Sequence, residues 1–452
     1  MKQYLAIATF AASILTACGG GDSQTQLGYS QEDAMAEPLG SIAASGIYLS
    51  PQQVRTRYGF DQLPSSPEAR GSGQVIAIIS AYNYPYYAEN LAAFSAKFGL
   101  PQCAAVSTVY TTPPDSYTTA NFPKPVPGSG CSIQVINVDS FGRPTRKVPQ
   151  GGPAVAQWAA EASMDIEWAH AMAPDASIVV VQAVTPFPGA LSFAAQYAGN
   201  NGASAVSMSW GMAENSIQCT RRPGQPTVKY DPSCSDVDTA ARFWAAFAQK
   251  FSNPDVTFVA ASGDRGVIQW PANNPTVLAV GGTNFGITTD TGWQYSGGGL
   301  SQSFVAPSWQ SEVLGTAMRA VPDVAYDAGT AIAVYVKPDV ATGFPDSSCM
   351  TANAGNGDRC GWYGGGGTSA GAPQWAALSA IVRATRSAKG VSPIIFAPAL
   401  YRDIASIPGR YASAFGDVTS GGTSSNPAKS GYDTLTGLGI PNASVLTGYL
   451  GM

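Results

Sequence analysis

Short apolar runs alternate along this chain with longer stretches in which apolar residues recur at helical spacing. The short runs are rich in β-branched residues, and near-continuous apolar strands alternating with helices are typical of a parallel sheet covered on both faces. The pattern predicts an α/β fold with a mostly parallel central sheet. The predicted strands are Gln74–Ser80, Ser177–Val184, Ala205–Trp210, Thr257–Gly263 and Val277–Gly282, and the predicted helices are Ala88–Phe98, Ala154–Met172, Ala190–Gly199 and Val237–Phe251.

The first 45 residues differ from the rest of the chain. Lys2 precedes an apolar run from Tyr4 to Leu15, and a run of about a dozen residues is shorter than the roughly 20 needed to span a bilayer. We therefore expect an export signal over residues 1–17. The end of this run resembles a bacterial lipobox, which implies lipidation of Cys18; an ordinary signal cleaved at a small residue is the alternative. Residues 18–45 are predicted to be a flexible tether, and residues 46–452 one folded domain.

Composition narrows the classes of function. Charged residues make up 12% of the chain and the formal net charge is −5, so no basic surface for nucleic acid is expected. With so few ionisable groups, charge repulsion stays small as carboxylates titrate, which suits an acidic environment.

The cysteines suggest disulfide bonds. Apart from Cys18, six cysteines fall into three couples of sequence neighbours, and an even number in an exported protein favours disulfides. Many connectivities are open, and we expect neighbours to pair. The couples are Cys103 with Cys131, Cys219 with Cys234, and Cys349 with Cys360.

A glycine-rich segment contains the candidate nucleophile. Four glycines from Gly364 lead to Thr368 and Ser369, and a helical pattern follows over Gln374–Thr385. Glycines allow close approach of a substrate, and the helix dipole at this position favours a developing alkoxide. Taken alone, the segment also suits a turn with a capping serine.

A pair of carboxyls is the better candidate for the general base than the single histidine of the chain. His170 lies nine positions after Glu161 on one predicted helix and points in nearly the opposite direction. Glu161 and Asp165 share a face of that helix, among apolar neighbours. Close, partly desolvated carboxylates share a proton, which raises one pKa toward the range useful for a base. The same spacing is also common on solvated helix faces.

Asp264 is a third candidate carboxyl. It directly follows the predicted strand Thr257–Gly263, and ligands of parallel sheets bind beyond the carboxyl ends of strands. A protonated aspartic acid in a cleft donates a hydrogen bond to an oxyanion. A plain turn or cap residue is the alternative.

The motifs Glu-x-x-x-Asp, Ser-Gly-Asp and Gly-Thr-Ser-Ala-x-x-Pro, in this order, resemble the sedolisin family of serine-carboxyl peptidases, which have a subtilisin-like fold. The resemblance extends over essentially all of residues 46–452, and the ordered set is far more specific than any single motif. Further matching residues are Ser209, Trp210, Gly211 and Glu214, residues 280–283, and Pro307, Ser308, Trp309 and Gln310.

The resemblance implies a role for each matching residue. Ser369 would attack the peptide carbonyl, and Glu161 would accept its proton and pass it to the leaving amine. Asp165 would orient Glu161, and Asp264 would stabilise the oxyanion together with the backbone N–H of Ser369. The residues expected to pair with the substrate backbone are Ser209, Trp210 and Gly211.

A C-terminal segment is similar to the calcium site of the family. Two carboxylates and three backbone carbonyls would form a cage of hard oxygen ligands for one structural Ca²⁺. The alternative is that the aspartates only stabilise turns. The implied ligands are the side chains of Asp417 and Asp433 and the carbonyls of Val418, Lys429 and Gly431.

The resemblance implies a serine-type peptidase that acts on proteins or peptides. Because Asp264 must stay protonated, we expect activity to peak at acidic pH. We also expect a monomer that contacts the bacterial cell envelope only through the lipid anchor implied by the lipobox, with secretion as the alternative. Family members usually carry a long N-terminal prodomain, whereas residues 46–63 already resemble the start of the catalytic domain. One alternative is an inactive lipoprotein that binds peptides. An α/β-hydrolase, suggested by the Gly-x-Ser-x-Gly pattern at Gly367–Gly371, requires a histidine after the serine, and none follows Ser369.

Overall fold

The computed structural model describes residues 37–38, 41–43, 48–112, 118–147, 153–216, 237–338 and 361–452. Its largest element is a nine-stranded sheet. The strands are β1 (Val75–Ala81), β2 (Ala104–Val106), β3 (Ser132–Val138), β4 (Ser177–Ala183), β5 (Ala205–Met208), β6 (Thr257–Ala261), β7 (Val277–Asn284), β8 (Thr291–Gly292) and β9 (Val324–Asp327).

The strand order is β8-β7-β6-β5-β1-β4-β3-β2, and β9 pairs with β7. All neighbours are parallel except β8, which runs antiparallel to β7. Parallel neighbours need long crossover connections, which the helices supply. The predicted α/β class with a mostly parallel sheet is therefore confirmed.

Helices cover both faces of the sheet. They are α1 (Pro51–Arg57), α2 (Tyr87–Phe98), α3 (Pro153–Met172), α4 (Pro188–Asn200), α5 (Val237–Ala248), α6 (Ser308–Leu314), α7 (Gly371–Ala388), α8 (Phe396–Ala399), α9 (Pro408–Ala414) and α10 (Ala443–Leu450). Further short strands are Tyr110–Thr111, Thr119–Ala120, Gln269–Trp270, Gly299–Val305, Met318–Val321, Ile332–Tyr335, Phe415–Gly416 and Ile440–Pro441.

Alternate residues of β1 lie on opposite faces of the sheet. Ile76 and Ile78 belong to a buried cluster that includes residues of α2, α3 and α7. Ala77 and Ile79 belong to a second cluster, formed with residues of α4 and α5. Because each face is buried under helices, β1 is apolar at all positions except Ser80, as its sequence pattern predicts.

The predicted strands are present with small shifts of their ends, except that the run Ala205–Trp210 is divided. Strand β5 ends at Met208, and Trp210–Ala213 forms a separate strand outside the central sheet. The apolar pattern does not predict β3, since Gln134 and Asn137 interrupt it. Nor does it predict β9, which has only four residues.

Two short stretches near the N-terminus pair with strands of the domain. Glu37–Pro38 runs antiparallel to Trp210–Ala213, and Ser41–Ala43 runs antiparallel to Trp362–Gly366. Both stretches fall in the segment predicted to be a tether. Part of that segment therefore forms β-structure, because open strand edges of the domain are available to pair with it.

A buried ion pair connects β7 to the chain that enters β9. Arg319 and Asp323 are fully buried, and the guanidinium donates to both carboxylate oxygens at 2.6 Å. The carboxylate also accepts hydrogen bonds from the Ala279 amide (2.7 Å), the Tyr401 hydroxyl (2.9 Å) and the Gln310 side chain (3.3 Å). Gln310 belongs to one of the motifs noted in the sequence, and its contacts identify that motif as structural.

Candidate active site

Helix α3 presents two buried carboxyls. Glu161 and Asp165 lie one turn apart, with 5% and 1% of their surface exposed. Burial raises the pKa of Asp165 well above its ordinary value, because desolvation disfavours the ionised form. The helix packs against the turn Thr368–Ala370. The carboxyl-bearing helix and the candidate nucleophile therefore belong to one site.

Ser209 connects Asp165 to Ser369. Its hydroxyl donates to Asp165 Oδ1 at 2.8 Å and lies 3.4 Å from the carbonyl oxygen of Ser369. A serine hydroxyl has one proton to donate, so the shorter contact is its hydrogen bond. This bond favours the ionised carboxylate and lowers the pKa of Asp165, which offsets part of the effect of burial. The contact depends on the tertiary fold, since Ser209 follows β5.

Ser369 lies in a 3₁₀ turn directly before α7. Gly367 enters this turn with a φ of 97°, a conformation that glycine adopts without steric cost. The serine is fully buried, and its Oγ lies 3.5 Å from the carbonyl oxygen of Ser209, at the long limit for a hydrogen bond. This long contact holds the Ser369 hydroxyl only weakly.

Asp264 lies beside the same turn. Its Oδ1 accepts hydrogen bonds from the amide and the hydroxyl of Thr368, both at 2.8 Å. The Thr368 hydroxyl in turn accepts from the amide of Gly263 at 3.0 Å. Gly263 has a φ of 118°, a left-handed conformation that sends the chain away from β6 at this point. Thr368, the residue before Ser369, is therefore hydrogen-bonded to Asp264.

The stretch that carries Glu161, Ser209, Asp264 and Ser369 matches a known protein family. The profile of the subtilase family matches residues 142–402, more than half of the chain. The chain belongs to the subtilase family.

The relatives of this subtilase are of the sedolisin type. Tripeptidyl-peptidase 1 of Dictyostelium discoideum is 27% identical over 431 residues, which cover 89% of this chain and 58% of the relative. Kumamolisin of Bacillus sp. (strain MN-32) is 30% identical over 350 residues, covering 68% and 53%. The structure of Pseudomonas sedolisin, a serine-carboxyl proteinase, matches with a TM-score of 0.57 at 21% identity, covering 90% of this chain and 98% of that one. The fold is therefore subtilisin-like, and the chain spans just over half the length of the two curated relatives.

His170 of this subtilase is engaged in structural contacts. It is fully buried, and its Nε2 donates to the Pro101 carbonyl at 2.9 Å, while Nδ1 lies 3.5 Å from Cys103 Sγ. Burial lowers the pKa of His170 to about 4. Cys103 and Cys131, which lie close to this ring, are joined in a disulfide, so their sulfurs are not free thiolate ligands for a metal. These contacts agree with the choice of a carboxyl as the base.

The disulfide confirms neighbour pairing for one of the three cysteine couples. The other two couples, and Cys18 with the predicted export signal, lie outside the described residues. Within the described part of the chain, none of the helices combines the length and apolar character needed to cross a bilayer.

Two contributions to the site are not predicted from the sequence. The side chain of Ser209 bonds to Asp165, whereas the resemblance implies only a backbone role for that position. Thr368 fixes Asp264 through both its amide and its hydroxyl. The signal for Ser209 is its place near the carboxyl end of the predicted strand Ala205–Trp210, because ligands of parallel sheets bind beyond the carboxyl ends of strands. Neither partner is visible in the sequence, because both contacts join segments over 40 residues apart.

The C-terminal loop gathers the expected calcium ligands. Asp417 Oδ2 accepts from the Gly431 amide at 2.9 Å, and Asp433 Oδ2 accepts from the Lys429 amide at 2.8 Å. Asp433 Oδ1 also accepts the amides that follow it in sequence. In the described part of the chain, no amide or side chain donates to the carbonyl oxygens of Val418, Lys429 or Gly431. Unused carbonyl oxygens beside two carboxylates fit the donor set that Ca²⁺ prefers.

Proposed function

We propose that this chain is a serine peptidase that hydrolyses peptide bonds of proteins or peptides at acidic pH. The observation that carries the proposal is the hydrogen-bonded cluster of Ser369, Ser209 and Asp165, with Asp264 fixed beside it. The names of the sedolisin-type relatives support the same class of reaction. The single histidine, His170, is hydrogen-bonded to the Pro101 carbonyl, so carboxyls would carry out the proton transfers of the reaction.

Glu161 would act as the general base. It would accept the proton of Ser369 Oγ as that oxygen attacks the carbonyl carbon, and would return the proton to the leaving amine. Two buried carboxyls hold one shared proton more readily than two negative charges. Burial favours the protonated form of Asp165, so Glu161 would be the ionised partner and Asp165 would orient it.

Asp264 would stabilise the oxyanion. Thr368 donates two hydrogen bonds to Oδ1 and so orients the carboxyl, which as a neutral acid would donate a hydrogen bond to the substrate oxygen. Ionisation of Asp264 would remove this hydrogen-bond donor and place a negative charge beside the negatively charged oxyanion. Activity is therefore expected to fall as the pH approaches neutrality.

Hydrolysis of casein and of a mixed peptide library across the acidic and neutral range tests the proposal. Wild-type chain should cleave with a maximum below neutral pH, whereas Ser369→Ala and Glu161→Gln should lose activity. Mass spectrometry of the products would separate internal cleavage from release of short N-terminal peptides. A Ser369→Ala variant as active as the wild type would refute the proposal.

Binding of the same peptides without turnover by both the wild type and Ser369→Ala would instead support the inactive peptide-binding lipoprotein. The turnover assay therefore needs a binding measurement beside it, such as fluorescence anisotropy of a labelled peptide. The close arrangement of Ser369, Ser209 and Asp165 favours the peptidase, because peptide binding by itself does not require a nucleophile beside buried carboxyls.

Calcium is proposed as a structural ion of this enzyme. Asp417 and Asp433 would supply carboxylate oxygens, and Val418, Lys429 and Gly431 would supply carbonyl oxygens. When bound, the ion would neutralise the two carboxylates and crosslink the loop. The loop also contacts the domain core, since the Tyr432 hydroxyl donates to the Pro322 carbonyl at 2.9 Å.

Export and lipid anchoring at Cys18 are proposed from the sequence pattern alone. The relatives that match this chain are peptidases, whose substrates an exported enzyme would meet outside the cytoplasm. Metabolic labelling with a fatty-acid analogue should mark the wild type and leave Cys18→Ala unlabelled. Equal labelling of both would contradict anchoring at this cysteine.

A further inference from the structure

Three neighbouring strands of the central sheet place a polar side chain at the same level near their carboxyl ends. Ser80 on β1 lies opposite Gln182 on β4 in the parallel register. Ser80 follows Ile78 by two positions, and Ser209 follows Ser207, the register partner of Ile78, by two positions as well. Adjacent strands lie about 4.8 Å apart, so Ser209, Ser80 and Gln182 form a continuous polar row.

The polar row faces helix α3. Side chains two positions apart on a strand point to the same face, so Ser80 has the orientation of Ile78 and Gln182 that of Val180. Both apolar residues belong to the buried cluster that includes residues of α3. The serine at one end of the row donates to Asp165 of this helix at 2.8 Å. Asp165 therefore lies over one end of the polar row.

Helix α2 brings a tyrosine to the same place. Tyr87 is the first residue of α2 and is 1% exposed. Its ring packs against Tyr84, with the ring centroids 4.9 Å apart. In the next turn Asn90 donates to the Ser163 hydroxyl of α3 at 2.9 Å, which fixes α2 against the helix that carries Asp165. These contacts hold Tyr87 in place relative to α3.

The Tyr87 hydroxyl lies close to both Ser80 and Gln182. Burial raises the pKa of this hydroxyl above its ordinary value, and the Ser80 and Gln182 side chains offset part of that rise in pKa. The titratable groups that act on it from the surrounding elements are Tyr84 and, from α3, Asp165, and both raise its pKa. The hydroxyl therefore keeps its proton and remains a hydrogen-bond donor throughout the acidic and neutral range.

Four polar atoms around this point have no hydrogen-bond partner in the described part of the chain. They are the hydroxyl oxygens of Ser80 and Tyr87 and the side-chain oxygen and nitrogen of Gln182. The three side chains are at most 1% exposed, so bulk solvent does not reach them. Buried polar groups in folded proteins are nearly always hydrogen-bonded, and buried water satisfies those that protein atoms leave unpaired. The donors and acceptors of these side chains therefore suit a buried water molecule.

We propose that Ser80, Tyr87 and Gln182 bind a water molecule that donates a hydrogen bond to Asp165, and that Tyr87 is thereby a positioning residue of the carboxyl pair. The inference rests on the proposed peptidase function. Tyr87 donates to the water, whose own protons are then directed to Gln182 and to the carboxylate. This hydrogen bond stabilises the single negative charge that Glu161 and Asp165 share. The pair therefore loses its first proton at a lower pH than burial alone would allow, which supplies an ionised base in acid.

Tyr87→Phe tests the positioning role, because it removes the hydroxyl and keeps the ring. The apparent pKa of the carboxyl pair should rise by about one unit, the order expected for one hydrogen bond to a charged group. The acidic limb of the profile of kcat/KM against pH should shift upward by the same amount, which lowers kcat/KM about tenfold at the acidic end. A loss of equal size at every pH would reveal a merely structural role and overturn the inference.

Tyr197→Phe is the matched control. The Tyr197 hydroxyl also lacks a hydrogen-bond partner among the described residues, but its side chain packs against the buried cluster on the opposite face of the sheet. Its removal should leave the acidic limb unchanged. Gln182→Leu removes two other partners of the water and should shift the limb in the same direction as Tyr87→Phe. Because both changes act through one water, the double variant should shift the limb no further than the larger single change, and additive shifts would overturn a shared water.

Two measurements require no catalysis. A crystal structure of the Ser369→Ala chain should show an ordered water within hydrogen-bonding distance of Tyr87 Oη, and Tyr87→Phe in that background should lose it. Carbon-13 NMR titration of the Asp165 and Glu161 carboxyls should show the rise in the apparent pKa of the pair in the same variant.

The outcomes separate this inference from the proposed function. An active peptidase whose crystal structure lacks the water, or whose acidic limb is identical in Tyr87→Phe and Tyr197→Phe, overturns the inference and leaves the proposed function standing. An ordered water and the NMR shift in a chain without turnover support the water site and defeat the proposed function. If Tyr87→Phe does not fold, the comparison of Gln182→Leu with Tyr197→Phe decides the inference in the same way.

Discussion

Replacement of Asp323 by Asn should be among the most destabilising single changes in this fold. The Asp323 carboxylate accepts two hydrogen bonds from Arg319 and one each from Ala279, Tyr401 and Gln310. Asn has the same shape but carries an NH₂ group in place of one oxygen. That group would face the donors now bound to Oδ2, and the fully buried guanidinium would lose its counter-charge.

The expected loss of unfolding free energy follows from the burial of the ion pair. Removing one partner of a buried ion pair costs about 3–5 kcal/mol, because an uncompensated charge stays in a medium of low dielectric. A typical domain is stable by about 5–15 kcal/mol, so Asp323→Asn would remove a large share of the total. The same chemistry at the surface is worth only about 0–1 kcal/mol.

The chain offers a matched control. Arg70 binds Asp175 through two hydrogen bonds of 2.7 and 2.9 Å, but the two side chains are 39% and 18% exposed. Urea unfolding followed by tryptophan fluorescence should give a free-energy loss of about 3–5 kcal/mol for Asp323→Asn and below about 1 kcal/mol for Asp175→Asn. The double variant Arg319→Met, Asp323→Leu removes both charges and should recover only the part of the loss that comes from the unpaired charge. The donors of Ala279, Tyr401 and Gln310 would then lack their acceptor.

Equal losses for the two Asp→Asn variants would refute the reasoning, since the buried pair should lose far more unfolding free energy than the partly exposed pair. If Asp323→Asn fails to fold, the double variant still measures the charge effect.

Three further predictions concern Ser209, Glu167 and the proposed calcium loop. Ser209→Ala removes the donor to Asp165 and should lower kcat/KM for a peptide about 10- to 100-fold, because a buried carboxyl left without its hydrogen bond costs about 1–3 kcal/mol. Ser207→Ala, a change at a buried serine on β5, should alter kcat/KM less than about twofold, and similar losses in both variants would contradict the role of Ser209. Burial raises the pKa of Glu167 well above its ordinary value, because desolvation disfavours the ionised carboxylate. The protonated side chain therefore contributes fully to the unfolding free energy below the pKa of the unfolded chain, and this contribution is lost as the pH rises through the pKa of the folded protein. Glu167→Gln should therefore flatten the decline in unfolding free energy above about pH 4.3, by up to about 1.4 kcal/mol per pH unit, and parallel curves for the two proteins would exclude this. Chelation should lower the melting temperature of the wild type and leave Asp417→Asn unaffected, because a bound ion stabilises only the folded state; equal shifts in both would count against the calcium site.

Much of the fold follows from local pattern. The strands β1, β4, β6 and β7 are largely apolar because helices cover both faces, and that burial is visible as nearly continuous apolar runs in the sequence. β3 is harder to recognise, since it contains Gln134, whose side-chain Nε2 donates to partners such as Thr108 that are distant in sequence. A polar residue with a tertiary partner looks the same, in sequence, as a polar residue in a loop.

The candidate site, like the fold, has features that the sequence predicts and features that only the tertiary structure decides. The sequence determines the residue types, their order and their helical spacing, so Glu161, Asp165, Asp264 and Ser369 can be named without coordinates. Only the tertiary structure decides which segments meet: that Ser209 donates to Asp165, that Thr368 binds Asp264, and that Glu37–Pro38 and Ser41–Ala43 pair with strands of the domain. The physical reason is that helix and strand periodicity are local properties of the chain, whereas hydrogen bonds across long loops depend on how the packed elements bring distant segments together.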